Sequence, residues 1–342
     1  MISRFFHAWE RQLVAVTTDR VVRPFEWGLD WIPDLKTSSN PDRSLRDWSA
    51  DAVVHSDKFY EASPVANDHF RLEGSSLTFP SALTTPHSEN NIVHARYFPA
   101  TQKDRKRCAV VILPQWNADP EGHLALAQLI AKTGISAVRI SLPYHDNRMP
   151  PELHRADYIV SANIGRTLQV CRQAVLDTKR TVDWLTSRGY EKVGLLGTSL
   201  GSCLAMLTAA HDSRISVVAL NHISPFFADV VWDGLSTAHV RTGLEGAIDL
   251  DLLRQIWLPI SPRPFIDRMK GKKSLLIYAR YDLSFPVQLS KQLVNDFRQH
   301  DLKPEVFVLP CGHYTTGKAP FSWIDGFALV RFLRRTLRPD RL

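Results

Sequence analysis

From about residue 108 onward, two kinds of hydrophobic pattern take turns along the chain. Continuous apolar runs at 108–113, 135–142, 193–196, 215–221, 274–279 and 305–310 predict strands buried on both faces. Helical spacing over 123–131, 156–188, 202–207, 287–297 and 320–337 predicts helices between and after them, with Pro320 suited to a first helical position. Strands and helices in strict alternation predict an α/β class, with a mostly parallel central sheet and helices on both faces. Upstream, 68–79 and 91–98 alternate apolar and polar, as at Val93, Ala95 and Tyr97, and predict antiparallel strands at the sheet edge. A charged loop, Thr101 to Arg107, separates them from the first parallel strand.

Two stretches stand outside the alternation. Residues 1–67 open with Phe5, Phe6, Trp9, Leu13 and Val14 on one face of a helix, which predicts an extension packed on the body. Glu10 and Asp19 dilute the charge that a membrane-surface helix would carry there. Residues 223–272 interrupt the strands with Phe226, Phe227, Trp232, Leu252, Leu253, Trp257 and a proline-broken run at Pro259, Pro262 and Pro264. Fifty residues are too many for an ordinary loop, so they predict a helical cap. The body is then split into 68–222 and 273–342.

Composition narrows the class without naming a function. The 342 residues are 44% hydrophobic and 23% charged, as in a folded soluble protein. The net charge of +7 comes from 42 basic against 35 acidic residues mixed along the chain, and no nucleic-acid motif accompanies it. The one basic concentration, Arg331 to Arg338, reads as a solvated helix face. Cys108, Cys171, Cys203 and Cys311 are scattered without a C-x-x-C pair, so neither zinc nor a disulfide framework is expected. No apolar stretch approaches ~18 residues and the start lacks a secretory h-region, so the expected location is cytoplasmic.

The chemistry is concentrated at Gly197-Thr198-Ser199-Leu200-Gly201, between a predicted strand and a predicted helix. In that setting G-x-S-x-G is a nucleophile elbow, with glycines where the tight turn leaves no room for side chains. A serine hydroxyl needs a base, and the base a carboxylate to orient it. Asp282 follows the strand at 274–279, and His313 follows the strand at 305–310. Three such groups at the carboxyl ends of parallel strands converge on one rim of the sheet. The oxyanion hole needs two N–H donors. Leu200 at the start of the elbow helix supplies one, and the loop Leu113-Pro114-Gln115-Trp116-Asn117 the other, with Trp116 preferred to Gln115.

With those residues in place, the chain resembles the α/β-hydrolase superfamily over about 68–337. Gly197 to Gly201 matches the family's elbow and Gly312-His313 its histidine loop. The stretch Pro143 to Pro150, with the long helix after it, is similar to the branch grouped as α/β-hydrolase domain eighteen. Pro114-Gln115 departs from the His-Gly that many members carry in the oxyanion loop. The resemblance implies an α/β-hydrolase fold with a helical cap, and two-step acyl transfer on an ester or thioester without metal or organic cofactor. His145, His222, Phe226, Phe227, Trp232 and Trp257 are the candidate substrate-binding residues, and the aromatics suggest an apolar acyl or aromatic group. His222 and His145 also have structural readings, as a bonded core histidine and a turn residue. Asn221 stands where some members keep their acid; being an amide, it leaves that role to Asp282. A small ester or a lipid is thus the expected partner. Two rivals remain: a non-catalytic binding protein, motivated by Pro114-Gln115, and a peripheral membrane protein, motivated by the amphipathic start and the basic last helix.

Overall fold

The computed structural model describes residues 2–37, 39–100 and 107–338; positions 101–106 of the expected charged loop lie outside them. The chain opens with helix α1 (Ile2–Ala15), α2 (Pro41–Val54) and the short α3 (Ser56–Phe59). Strands β1 (Arg71–Glu73), β2 (Ser76–Pro80) and β3 (Ile92–Phe98) form an antiparallel edge. The single strand expected at 68–79 is therefore a hairpin: Glu73 pairs with Ser76 across a turn in which Gly74 takes φ 61°.

The alternating block follows as β4 (Cys108–Leu113), α4 (Leu124–Lys132), β5 (Ser136–Ile140), α5 (Ile164–Ser187), β6 (Lys192–Thr198), α6 (Leu200–Ala210) and β7 (Ile215–Asn221). Helix α5 starts later than its periodicity suggests because the Asn163 side chain accepts from the Arg166 N–H and caps it there. The inserted segment forms α7 (Phe227–Asp233), α8 (Ala238–Leu244) and α9 (Leu250–Ile256), continued by short 3-10 turns. The chain ends with β8 (Lys273–Ala279), α10 (Val287–Gln299), β9 (Glu305–Leu309) and α11 (Phe321–Leu337). Pro320 sits one residue before that helix rather than in its first turn.

The sheet has nine strands in the order β1-β2-β3-β5-β4-β6-β7-β8-β9. β3 joins β5 antiparallel, and everything from β5 to β9 is parallel. Side chains along β4 divide between two cores. Val111 and Leu113 join Leu168 of α5 and Leu204 of α6, while Val110 and Ile112 join Ile130 of α4 and Phe332 of α11. All four cysteines are buried, and none forms a disulfide. Among the described residues, no helix is long and apolar enough to cross a membrane.

The stretch from α2 to Tyr60 is tied to the body, where Arg172 Nε of α5 donates to Phe59 O (2.6 Å), and to the inserted segment. Ser49 Oγ donates to Ile256 O (2.7 Å) and Tyr60 OH to Pro259 O (2.9 Å). In α1 the inward stripe is Phe6, Glu10 and Val14, while Phe5 faces solvent. The expected face was drawn by hydrophobicity alone; the helix instead turns a carboxylate inward.

Candidate active site

Ser199 bridges β6 and α6 at φ 56° and ψ −120°, a conformation that non-glycine residues rarely hold. Its N–H donates to Asn221 O (2.7 Å), and Ser202 Oγ donates to both Ser199 O (2.6 Å) and His222 O (2.7 Å). A Cβ on Gly197 would lie 2.2 Å from Gly201 O, and one on Gly201 would lie 2.1 Å from Leu113 O. Both glycines are therefore fixed by close backbone approach, and the turn lifts Ser199 above the sheet rim.

Asp282, buried after β8, uses both carboxylate oxygens. Oδ1 accepts the backbone N–H groups of Ser284 (2.8 Å) and Phe285 (2.7 Å). Oδ2 accepts from two histidines, His313 Nδ1 (3.1 Å) and His222 Nδ1 (2.9 Å). A carboxylate only accepts, so both Nδ1 atoms carry a hydrogen, and in the neutral form of each ring Nε2 holds the lone pair. Burial alone would raise the Asp282 pKa; His313 and His222 outweigh it and hold it well below the usual range. For His313, burial favours the neutral ring, but the Asp282 carboxylate, with a smaller push from Glu10, leaves its pKa above the ordinary value. His222 is driven the other way, first by burial and then by His313.

The two histidines differ in surroundings. The His313 ring stacks on Phe285 (centroids 5.3 Å apart), whose side chain lines a cavity beside Ser199. His222 Nε2 is buried without a partner. Ser199 Oγ and His313 Nε2 are not hydrogen-bonded to each other. The ligating atoms of His222, Asp282 and His313 lie within 4.8 Å of one another, close enough to share a cation. The two hydrogen bonds on one carboxylate oxygen already account for that clustering.

The loop after β4, which carries the expected second oxyanion donor, is held by a histidine. His145 is buried, with Nδ1 donating to Pro143 O (2.9 Å) and Nε2 accepting the Asn117 N–H (2.9 Å). Burial pushes its pKa down to about 4, which keeps Nε2 an acceptor. Asn117 Oδ1 accepts the Ala156 N–H (2.8 Å), and Trp116 Nε1 donates to Ala156 O (2.8 Å). Trp116 lines the cavity with Ser199 and Leu200; Gln115 does not.

The cavity beneath the inserted helices is mainly apolar, with Val160, Cys203, Phe227, Val230, Val231 and Phe285 in its wall. Several expected contacts lie elsewhere. Trp257 is fully buried, donates Nε1 to Ile164 O (3.3 Å) and packs edge-on against Phe227. Phe226 lies under the guanidinium groups of Arg254 and Arg263, and Trp232 under that of Arg241. His145 bonds the loop after β4 and His222 the Asp282 carboxylate, with no wall position for either. Of the six substrate-binding candidates only Phe227 lines the cavity. Phe285 was missed because its position depends on the N–H bond that folds it back onto Asp282.

Residues 37–255 match the sequence profile of a family described as alpha/beta hydrolase domain containing 18. No curated protein matches the chain. Among solved structures, a Pyrococcus horikoshii acylaminoacyl peptidase is similar over 79% of this chain, with 12% identity and a TM-score of 0.61. The chain spans 42% of that protein's length. An acetyl xylan esterase from Paenibacillus sp. R4 is similar over 90% of this chain and 99% of its own, with 14% identity and a TM-score of 0.60. A lipase in its open form covers 76% of this chain and 98% of its own, with 12% identity and a TM-score of 0.56. At such identities these likenesses speak for the fold.

Proposed function

The chain belongs to the alpha/beta hydrolase domain containing 18 family, and from that premise we propose that it is a serine hydrolase of carboxylic esters. The observation that carries this reading is the Asp282–His313 hydrogen bond at the rim where the strained Ser199 elbow opens onto an apolar cavity. Ser199 Oγ attacks the ester carbonyl as His313 Nε2 takes its proton, and Asp282 holds the imidazole with Nδ1–H inward. The new oxyanion is met by the Leu200 N–H, favoured by the dipole of α6, and by the Trp116 N–H. His313 then protonates the leaving alcohol. Water, activated by the same ring, releases the acid from the acyl enzyme.

The wall formed by Val160, Phe227, Val230 and Val231 favours an apolar acyl group. Turnover of p-nitrophenyl esters of increasing acyl length tests the proposal: wild type should hydrolyse them with a length optimum, and Ser199→Ala should not. Equal rates in the two proteins would sink it. A second reading, acyl hydrolysis of lipids at a surface, draws support from Ile2 and Phe5 of α1 and Trp323 and Phe327 of α11, all exposed. Co-sedimentation with phosphatidylcholine liposomes, lost in Phe5→Ser/Trp323→Ser, would favour it; no co-sedimentation of wild type would remove it.

A further inference from the structure

We infer that α1, through Glu10, is the positioning element of the histidine loop, so that the extension before the sheet is part of the catalytic machinery. The inference rests on the serine hydrolase reading above and adds a residue to it.

Glu10 is fully buried, 303 positions in sequence before the histidine it serves. Its Oε2 accepts the Tyr314 N–H (2.9 Å), and its Oε1 accepts both the Thr315 N–H (2.9 Å) and the Thr315 hydroxyl (2.9 Å). The two backbone donors immediately follow His313, so the carboxylate fixes the peptide planes that aim the imidazole. Thr315 Oγ1 in turn accepts the Gly312 N–H (2.7 Å), closing the loop around the histidine. The approach is tight enough that a Cβ on Gly312 would lie 2.4 Å from Glu10 Cδ, which explains the glycine before the histidine.

Two further contacts bind the same segment to the triad loops. Phe6, one turn before Glu10, stacks on Tyr281 (4.8 Å between centroids, 8° between planes), the neighbour of Asp282. Arg20 ties the end of α1 to the loop, donating to Val14 O (3.0 Å) and to the Tyr314 hydroxyl (3.3 Å). A buried carboxylate with three donors is hard to replace, because removing it leaves two backbone N–H groups without partners. Helix packing alone would be served as well by leucine at this position. The carboxylate points instead to the loop it holds.

Glu10 also acts on charge. His313 is faced by Asp282 and His222 from the loops after β8 and β7, by Glu10 from α1, and by Tyr314, backed by Arg20, from its own loop. Removing the Glu10 charge removes one of the groups that favour the imidazolium. The acid limb of kcat/KM, where His313 loses its proton to become the base, should then move to lower pH.

Glu10→Gln is the deciding variant, because its amide keeps the volume and one acceptor while turning an NH2 toward a donor. The full chain is compared with wild type in three ways: hydrogen–deuterium exchange over 310–318, kcat and KM on a p-nitrophenyl ester, and the pH profile. Faster exchange at Tyr314 and Thr315 is expected, with kcat lower by roughly 10- to 100-fold, KM within about twofold, and the acid limb shifted down. Glu10→Asp, which shortens the reach but keeps the charge, should restore the acid limb and part of kcat. Unchanged exchange would overturn the clamp, and that readout needs no catalysis. Faster exchange with unchanged kcat and pH profile would overturn the positioning role. Inactive wild type would instead overturn the serine hydrolase reading.

Discussion

Two histidines donate to Asp282 Oδ2, and replacing each by phenylalanine should separate the base from its companion. In His222→Phe the carboxylate loses one of four hydrogen bonds and keeps His313, Ser284 N–H and Phe285 N–H. A hydrogen bond to a charged group contributes about 1.5–3 kcal/mol, whereas an unpartnered buried polar atom costs about 1–3 kcal/mol. The substitution gives up the first and removes the second, His222 Nε2, so the stability terms nearly cancel. The activity terms do not cancel. With His313 still on its carboxylate, kcat/KM should fall by less than about 100-fold, whereas His313→Phe should lose at least about 1,000-fold. With one donor fewer on Asp282, the carboxylate holds the His313 proton more firmly, so the acid limb of His222→Phe should move to higher pH. Steady-state hydrolysis of a p-nitrophenyl ester across pH 5 to 9, with thermal melts alongside, gives every quantity. A folded His222→Phe as inactive as His313→Phe, or an active His313→Phe, would refute the assignment of His313 as base.

Other consequences follow from the same geometry. Asp282→Asn should lower kcat by about 10,000-fold, because an amide no longer selects the Nδ1–H tautomer, and single-turnover kinetics would show it. Since the folded Asp282 pKa is held below its unfolded value, its stabilisation is complete above about pH 4 and lost as pH falls further; melts of Asp282→Asn should lack that part of the acid dependence. Gly201→Ala should fail to fold or lose more than about 3 kcal/mol by urea titration, because its Cβ would enter the space of Leu113 O. Phe227→Trp narrows the cavity and should shift the acyl-length optimum to shorter esters, read as relative kcat/KM across a series.

The elements that position chemistry were legible because they are local. A buried parallel strand is a continuous apolar run, and the glycines around Ser199 mark a turn that no other residue fits. Asp282 and His313 could be found because each directly follows such a strand, so topology brings them to the same rim. What stayed hidden depends on contacts between distant segments. Glu10 reads as a charge that weakens an amphipathic face; its meaning comes from backbone donors at Tyr314 and Thr315. His145 looks like a rim residue, yet both of its ring nitrogens are engaged by backbone of two loops. The aromatics of 223–272 are equivalent in sequence, and only packing separates Phe227 in the wall from Trp257 in the core and from Phe226 and Trp232 under arginines.

The central claim, that Ser199 is the nucleophile, is met most directly by treating the purified full chain with a fluorophosphonate and locating the adduct by peptide mass spectrometry. A single phosphonyl group on the peptide containing Ser199, absent from a folded Ser199→Ala, is the predicted result. An adduct elsewhere that persists in Ser199→Ala, or none on well-folded wild type, would contradict it.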